Sequence, residues 1–304
     1  MNTMIALLKR EVWEHRSFWI VPSVISALFI FGLGMVFFWV IPTKGSFAKL
    51  AHKLMDHNEE ALAHIGQAAI PGIAVAFFIV GAVLVTFYVL DSLYSERRDR
   101  SILFWKSLPV TDLQTVMSKW IAGFVVLPVF LIAAAVVTTI VVNILFSFAL
   151  LIGGGNPWTL VWSHFSLFGG TFAVVVGYLV EALWYLPWFA WLMLASAWAK
   201  KGPFLWATLP IGAVWIMEEI VFGTNHVVQF LGERLVPFSS DIAQGSTETV
   251  RLFGGRLSYD GGLGAQPLSV LGELLVTPGF WGGLIFAAAC TAGAVMLRRY
   301  RDES

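Results

Sequence analysis

Three observations predict an all-α integral membrane fold of six transmembrane helices with both termini in the cytoplasm. Apolar residues make up 58% of the 304 residues and charged ones only 12%, against roughly 25% charged in soluble domains, and mean hydropathy is +0.78. Apolar runs of about 20 residues, enough helix to cross a roughly 30 Å hydrocarbon core, recur six times: 18–41, 68–90, 120–151, 167–198, 204–222 and 280–297. Lys and Arg alternate unequally between the sides these spans separate, thirteen against six. The richer side holds Lys9, Arg10, Arg16, Arg97, Arg98, Arg100, Lys106, Lys119, Lys200, Lys201, Arg298, Arg299 and Arg301, and the excess of cations marks the cytoplasm.

The chain reads as a single membrane domain, 1–304, without internal repeats. In 1–16, Met4, Ile5, Leu8 and Val12 recur at helical spacing, with Lys9, Arg10 and Glu14 elsewhere on the wheel. This predicts an amphipathic helix lying on the cytoplasmic surface, an exposed leader being the alternative. Glu11 and Glu14, followed by an apolar run too long for a signal peptide, predict that the segment is retained. The third and fourth runs exceed the length of a span and should tilt, break or project, with Pro187 the expected break in the fourth. The lone Cys290 permits no intramolecular disulfide. Zero net formal charge gives no argument for nucleic acid.

Between the second and third spans lies 94–119, YSERRDRSILFWKSLPVTDLQTVMSK. Asp99 or Ser101 is expected to cap a short helix, Ile102, Leu103, Phe104 and Trp105 give it an apolar grip, and Pro109 ends it. Thr111 or Asp112 then caps a helix entering the third span. Aromatic side chains on a cytoplasmic loop require a partner or a lipid surface.

The outer loops are unequal. In 42–67, His52, Asp56, Glu60 and His64 follow one another at four-residue steps, a spacing that a divalent metal or a plain solvated helix explains. The loop 223–279 reads as a turn-rich excursion at 254–266 followed by a short amphipathic helix over 267–277, forming a cap over the outer mouth.

Acids inside apolar runs are costly and must face water, protein or a partner. Tyr178, Glu181, Tyr185 and Trp188 share one helical face, which suits an amphipathic substrate corridor or a satisfied helix–helix contact. Glu218 and Glu219 interrupt the fifth span, leaving a clean apolar part of about 21 Å. They mark a water-filled vestibule or ordinary interfacial acids.

The sequence contains no GxxxxGK[ST], HExxH, paired CxxC or GxSxG, so nucleotide hydrolysis, zinc proteolysis and hydrolase chemistry lack their anchors. Gly153–Asn156 reads as a turn at a span end and not as a phosphate cradle.

Glu96, Arg97, Leu108, Pro109, Val110, Thr111 and Lys119, in this order after a second span, resemble the loop of type-2 ATP-binding-cassette (ABC) exporter permeases. The six spans, the inner termini, the amphipathic N-terminal helix and the larger loop between spans five and six resemble the layout of that family over nearly the whole chain. Arg100-Ser101 stands where the family commonly has a small Gly-Thr pair, and Phe104-Trp105 makes the loop helix bulkier. This departure bears on which ATPase is accepted.

The resemblance implies a transport subunit that is not itself an enzyme, in a bacterial cytoplasmic (inner) membrane. It would form the translocation path as a dimer with a second permease chain, identical or paralogous. It would bind no cofactor itself, ATP and Mg belonging to separate ATPase subunits. Those would dock on a coupling helix at about 99–109, with Glu96, Arg97, Arg98, Asp99, Ser101, Phe104, Trp105, Leu108 and Pro109 as coupling residues. Tyr178, Glu181, Tyr185, Trp188, Glu218 and Glu219 are candidates for the path, and the aromatic spans favour a lipid, peptide or drug-like amphipath. Two other classes stand beside this reading: an ion-gradient-driven transporter or channel titrating Glu181, Glu218 and Glu219, and a membrane enzyme using His226 and Glu219.

Overall fold

The structure is a computed structural model that describes residues 3–40, 59–152, 156–226, 249–252, 255–258, 267–276 and 278–300. Helix α1 (Thr3–Glu14) precedes α2 (Ser17–Met35), which runs on into a π turn at Val36–Val40. Helix α3 (Glu59–Ser92) leads to two short helices, α4 (Tyr94–Arg98) and α5 (Ser101–Ser107). Helix α6 (Asp112–Ile121) continues through a π turn, Ala122–Val126, into α7 (Leu127–Ile152). After a third π turn (Trp158–Trp162) come α8 (Leu167–Trp198) and α9 (Pro203–Phe222). An antiparallel pair, β1 (Thr249–Leu252) with β2 (Gly255–Ser258), precedes α10 (Pro267–Val276) and α11 (Pro278–Tyr300).

Six of these helical stretches are long and apolar enough to cross a membrane: Ser17–Phe38, Ala69–Arg98, Asp112–Ile152, Trp158–Trp198, Pro203–Phe222 and Pro278–Tyr300. The third is longer at its start than the apolar run, because α6 is an amphipathic extension whose polar residues leave the hydropathy window but not the helix. Pro187 does not break the fourth, since α8 runs uninterrupted across it. A transmembrane helix tolerates the lost hydrogen bond where neighbouring helices and local adjustment re-satisfy the backbone. The fifth span also exceeds the estimate from its clean apolar part: α9 includes Glu218 and Glu219 in its last turns and ends only at Gly223, whose φ of +62° supplies a left-handed cap. Its 20 residues make about 30 Å of helix.

Helix α8 is the centre of the bundle, packed along α3 and α11, while α7 packs on α2 and α3. Small residues set the closest approaches. A Cβ on Gly170 of α8 would meet Ile70 of α3 at 3.2 Å, and one on Gly123 would meet the Tyr88 ring at 3.3 Å, as expected where helices must pack without a hydrophobic driving force between them. Helices α2 and α9 are covered least: Phe18 and Pro22 are the buried residues of one, Ala207 of the other. Helix α10 lies against α8 and α11 through Leu274, Val180 and Phe280, so 267–276 is the short helix expected there. The predicted turn segment 254–266 lies outside the described residues except for β2, which makes a hairpin with β1.

Candidate functional site

One end of the bundle collects α1, α4, α5, the start of α6, and the ends of α8 and α11. There the sequence places ionisable side chains on the inner faces of short helices, and the fold buries them together. Lys119 of α6 lies between two carboxylates, its Nζ 3.1 Å from Glu11 Oε1 and 3.0 Å from Glu96 Oε1. Arg298 of α11 donates through Nη1 to Glu96 Oε2 and through Nε, at 3.1 Å, to Asp112 Oδ1. The Tyr88 hydroxyl donates to Glu11 Oε2 at 2.9 Å. Glu11, Glu96, Lys119 and Arg298 are all buried. Charges removed from water are tolerated only when paired and hydrogen-bonded in this way. His15, beside Glu11, has its pKa lowered from 6.5 because burial disfavours the imidazolium more than the Glu11 carboxylate favours it.

The start of the loop is also tied to the end of α8. Ser196 Oγ accepts from the backbone amides of Leu93 (3.2 Å) and Tyr94 (3.1 Å). Arg97 Nη2 donates to the carbonyls of Ser196 (2.6 Å) and Ala199 (2.9 Å). A guanidinium on the last carbonyls of a helix satisfies orphan acceptors and opposes the negative end of its dipole.

From this anchored base the short helix α5 projects. Arg100 enters it with φ +55°, the one described non-glycine residue in the left-handed region, and no side chain caps it. Asp99, expected as a possible cap, instead ends α4 and pairs with Arg98 at 3.0 Å in solvent. Ser101 turns its hydroxyl back to the Glu96 carbonyl at 3.3 Å. A left-handed residue between two helices turns the chain too sharply for either side chain to reach the first amides of α5 in the manner of a cap. Leu108 is extended, as a residue before proline should be, so α5 stops at Ser107 ahead of the exposed Pro109. Thr111 caps α6 with a full capping box, accepting from Gln114 N at 3.2 Å while Gln114 Oε1 accepts from Thr111 N at 3.1 Å. Ile102 is buried, whereas Leu103 and Phe104 are 46% and 60% exposed. Trp105 lies under Arg10 of α1, whose Cζ is 3.8 Å from the ring centroid.

The four residues placed on one face of the fourth span line a single cavity of about 410 Å³ between α3, α7 and α8: Tyr178, Glu181, Tyr185 and Trp188. The Tyr178 hydroxyl donates to the carbonyl of Phe124 in the π turn at 3.1 Å, and its ring stacks on Phe78 with centroids 5.7 Å apart. Glu218 and Glu219 are not among the residues lining the cavity. Glu218 instead organises the end of α9, accepting from Thr224 Oγ1 (2.8 Å) and His226 N (2.7 Å), with His226 Nδ1 at 2.9 Å. Glu219 is exposed one position on. His52 and Asp56 lie outside the described residues, as do the side chains of Glu60 and His64. Among the described residues no group of three or more His, Cys, Asp and Glu side chains could hold a metal.

Sequence reasoning did not assign Glu11, Arg298, Ser196 or Arg10 to this site. Glu11 carried a usable signal: it stands one turn after Leu7, on the inward side of α1, where an acid among apolar neighbours needs a cation. Ile5, assigned to the apolar face, is exposed, and the buried residues of α1 are Leu7 and Glu11.

Residues 61–180, from the first turns of α3 through the anchored loop and α7 to Val180 in α8, match the model of the ABC-2 family transporter proteins. No curated protein and no solved structure matches the chain. The match covers the loop and its flanking spans, so this part of the chain is similar to the ABC-2 family transporter proteins, and among the described residues six helices are long and apolar enough to cross a membrane.

Proposed function

We propose that the chain is the membrane-spanning subunit of an ATP-driven exporter, working as a dimer and coupled to separate ABC ATPase subunits that dock on α5 from the cytoplasm. The observation that carries this is the contrast within α5: its outer side exposes Leu103 and Phe104, while its root is fixed by the Glu96–Lys119–Arg298 cluster, the Arg97 cap on α8 and the Arg10–Trp105 contact. A small apolar knob on a rigid mount transmits a push, whereas a loose loop would absorb it. ATP and Mg belong to the partner, and Arg98, Asp99 and Pro109 border the knob as exposed contacts.

The thinly covered helices α2 and α9 supply apolar faces for lipid and for a second permease chain, identical or paralogous. The excess of Lys and Arg at the loop end supports a cytoplasmic location for that end, in a bacterial inner membrane. The aromatic cavity supports an amphipathic substrate.

Co-expression with an ABC ATPase from the same genome tests the reading. A stoichiometric complex with ATP turnover is expected, and Phe104→Asp should abolish association while leaving the melting temperature of the permease unchanged. Full association by Phe104→Asp, or transport by the purified chain alone under a proton gradient, would show the reading to be wrong.

A further inference from the structure

The cavity between α3, α7 and α8 is more specific than an apolar slot. Glu181 lines it, and no described residue hydrogen-bonds or ion-pairs with the Glu181 carboxyl. Of the two tyrosines on the same helical face, Tyr178 and Tyr185, the first has its hydroxyl committed to the Phe124 carbonyl. About 22 Å of helix separates Glu181 from Ser196 at the cation-rich end of the bundle, where Lys119 and Arg298 are paired with Glu11, Glu96 and Asp112. A carboxylate at that depth is costly unless something pairs with it.

The rest of the wall is aromatic. Phe78, Phe124, Tyr178, Tyr185, Trp188 and Phe189 surround the space. Phe124 and Phe189 meet edge to face at 5.2 Å, so their rings are held in place. Aromatic faces attract cations within about 6 Å and offer nothing to an anion. A neutral acyl chain would satisfy the rings but leave the acid alone. The cavity has an approach from the side, because Ile79, Val83 and Phe87 line it and are exposed on the outer surface of α3. At about 410 Å³ it is within the roughly 300–1,000 Å³ range of small-ligand sites.

We infer that this cavity binds a hydrophobic cation, an ammonium- or phosphonium-type amphipath whose charge pairs with Glu181 and whose apolar groups lie against the aromatic wall. This rests on the permease reading above and names the substrate class of its path. A ligand of this kind supplies the charge the fold withholds from Glu181.

The test uses the full chain alone in nanodiscs of zwitterionic phospholipid, without any ATPase, so its outcome is independent of docking on α5. The probe is radiolabelled tetraphenylphosphonium, with the near-isosteric anion tetraphenylborate as competitor. Saturable binding of the cation is expected, with no competition by tetraphenylborate, a loss of at least about tenfold in Glu181→Gln, and retention within about threefold in Glu181→Asp, since the charge is what is recognised. Melting temperatures of both variants control for folding. Absence of saturable binding by the wild type, unchanged binding by Glu181→Gln, or equal competition by tetraphenylborate overturns the inference.

Discussion

Arg298 in the last helix donates to the carboxylate of Glu96 at the root of the loop, 202 residues earlier in the chain. The same guanidinium holds Asp112 at the start of α6, so one side chain joins three elements. Arg298→Ala leaves Glu96 with Lys119 as its main counter-charge and strips Asp112 of its partner. Breaking a buried pair from one side costs about 3–5 kcal/mol. The variant should melt well below wild type in detergent, and Glu96→Gln combined with it should cost less than the sum of the two single changes. Wild-type melting by Arg298→Ala would contradict a structural role for the pair.

Arg100 enters α5 at φ +55°. An L-residue there costs about 1–2 kcal/mol, which glycine avoids at an entropic cost of roughly 0.5–1 kcal/mol. Arg100→Gly should therefore be neutral to stabilising by up to about 1 kcal/mol, whereas Arg100→Val should destabilise. Paired thermal melts decide it, and a lower melting temperature for the glycine variant than for the valine variant would refute the argument.

The lowered pKa of His15 carries a sign. Burial, the largest influence, keeps the folded ring neutral below its usual 6.5, with Glu11 opposing and Lys119 assisting. As pH falls through that value the unfolded chain takes up the proton first, so stability is complete above it and is lost on acidification toward the folded value. The drop in melting temperature between about pH 7.5 and about pH 5.5 should be smaller in His15→Asn. An identical drop in both proteins would remove His15 as a source of the acid sensitivity.

A methyl group on Gly81 would run into Leu131, a buried residue of α7 that also lines the cavity. Gly81→Ala should press Leu131 inward at a cost of about 1–3 kcal/mol for the overpacking, offset by up to about 1 kcal/mol of helix propensity. The cation probe should bind more weakly as the space shrinks. Unaltered binding would mean that the wall gives way elsewhere.

The spans were legible because a hydrocarbon core imposes length and apolarity on each of them, and the Thr111 cap because a Thr with Gln three residues later is a local signal. The shared face of Tyr178, Glu181, Tyr185 and Trp188 followed from helical periodicity alone. Pairings across long sequence separations were not legible. Nothing local marks Glu11, Lys119 and Arg298 as neighbours, and Arg298 counted only as one more cation on its side of the membrane. Glu218 looked like an intramembrane acid, but the glycine that ends α9 folds Thr224 and His226 back onto it. The place of Pro187 within α8 depended on tertiary context that propensity does not contain.

The helix that begins at the Thr111 cap passes through its widened π turn at Ala122–Val126 and there places Phe124 in the cavity wall, its carbonyl held by Tyr178. One continuous stretch of backbone therefore has the anchored loop at its start and the cavity within its length. When it moves as a rod, the two sites are thermodynamically reciprocal: the factor by which an occupant beside Phe124 changes the affinity for a partner at Phe104 is the factor by which that partner changes the affinity for the occupant. A measured shift in either affinity then fixes the other.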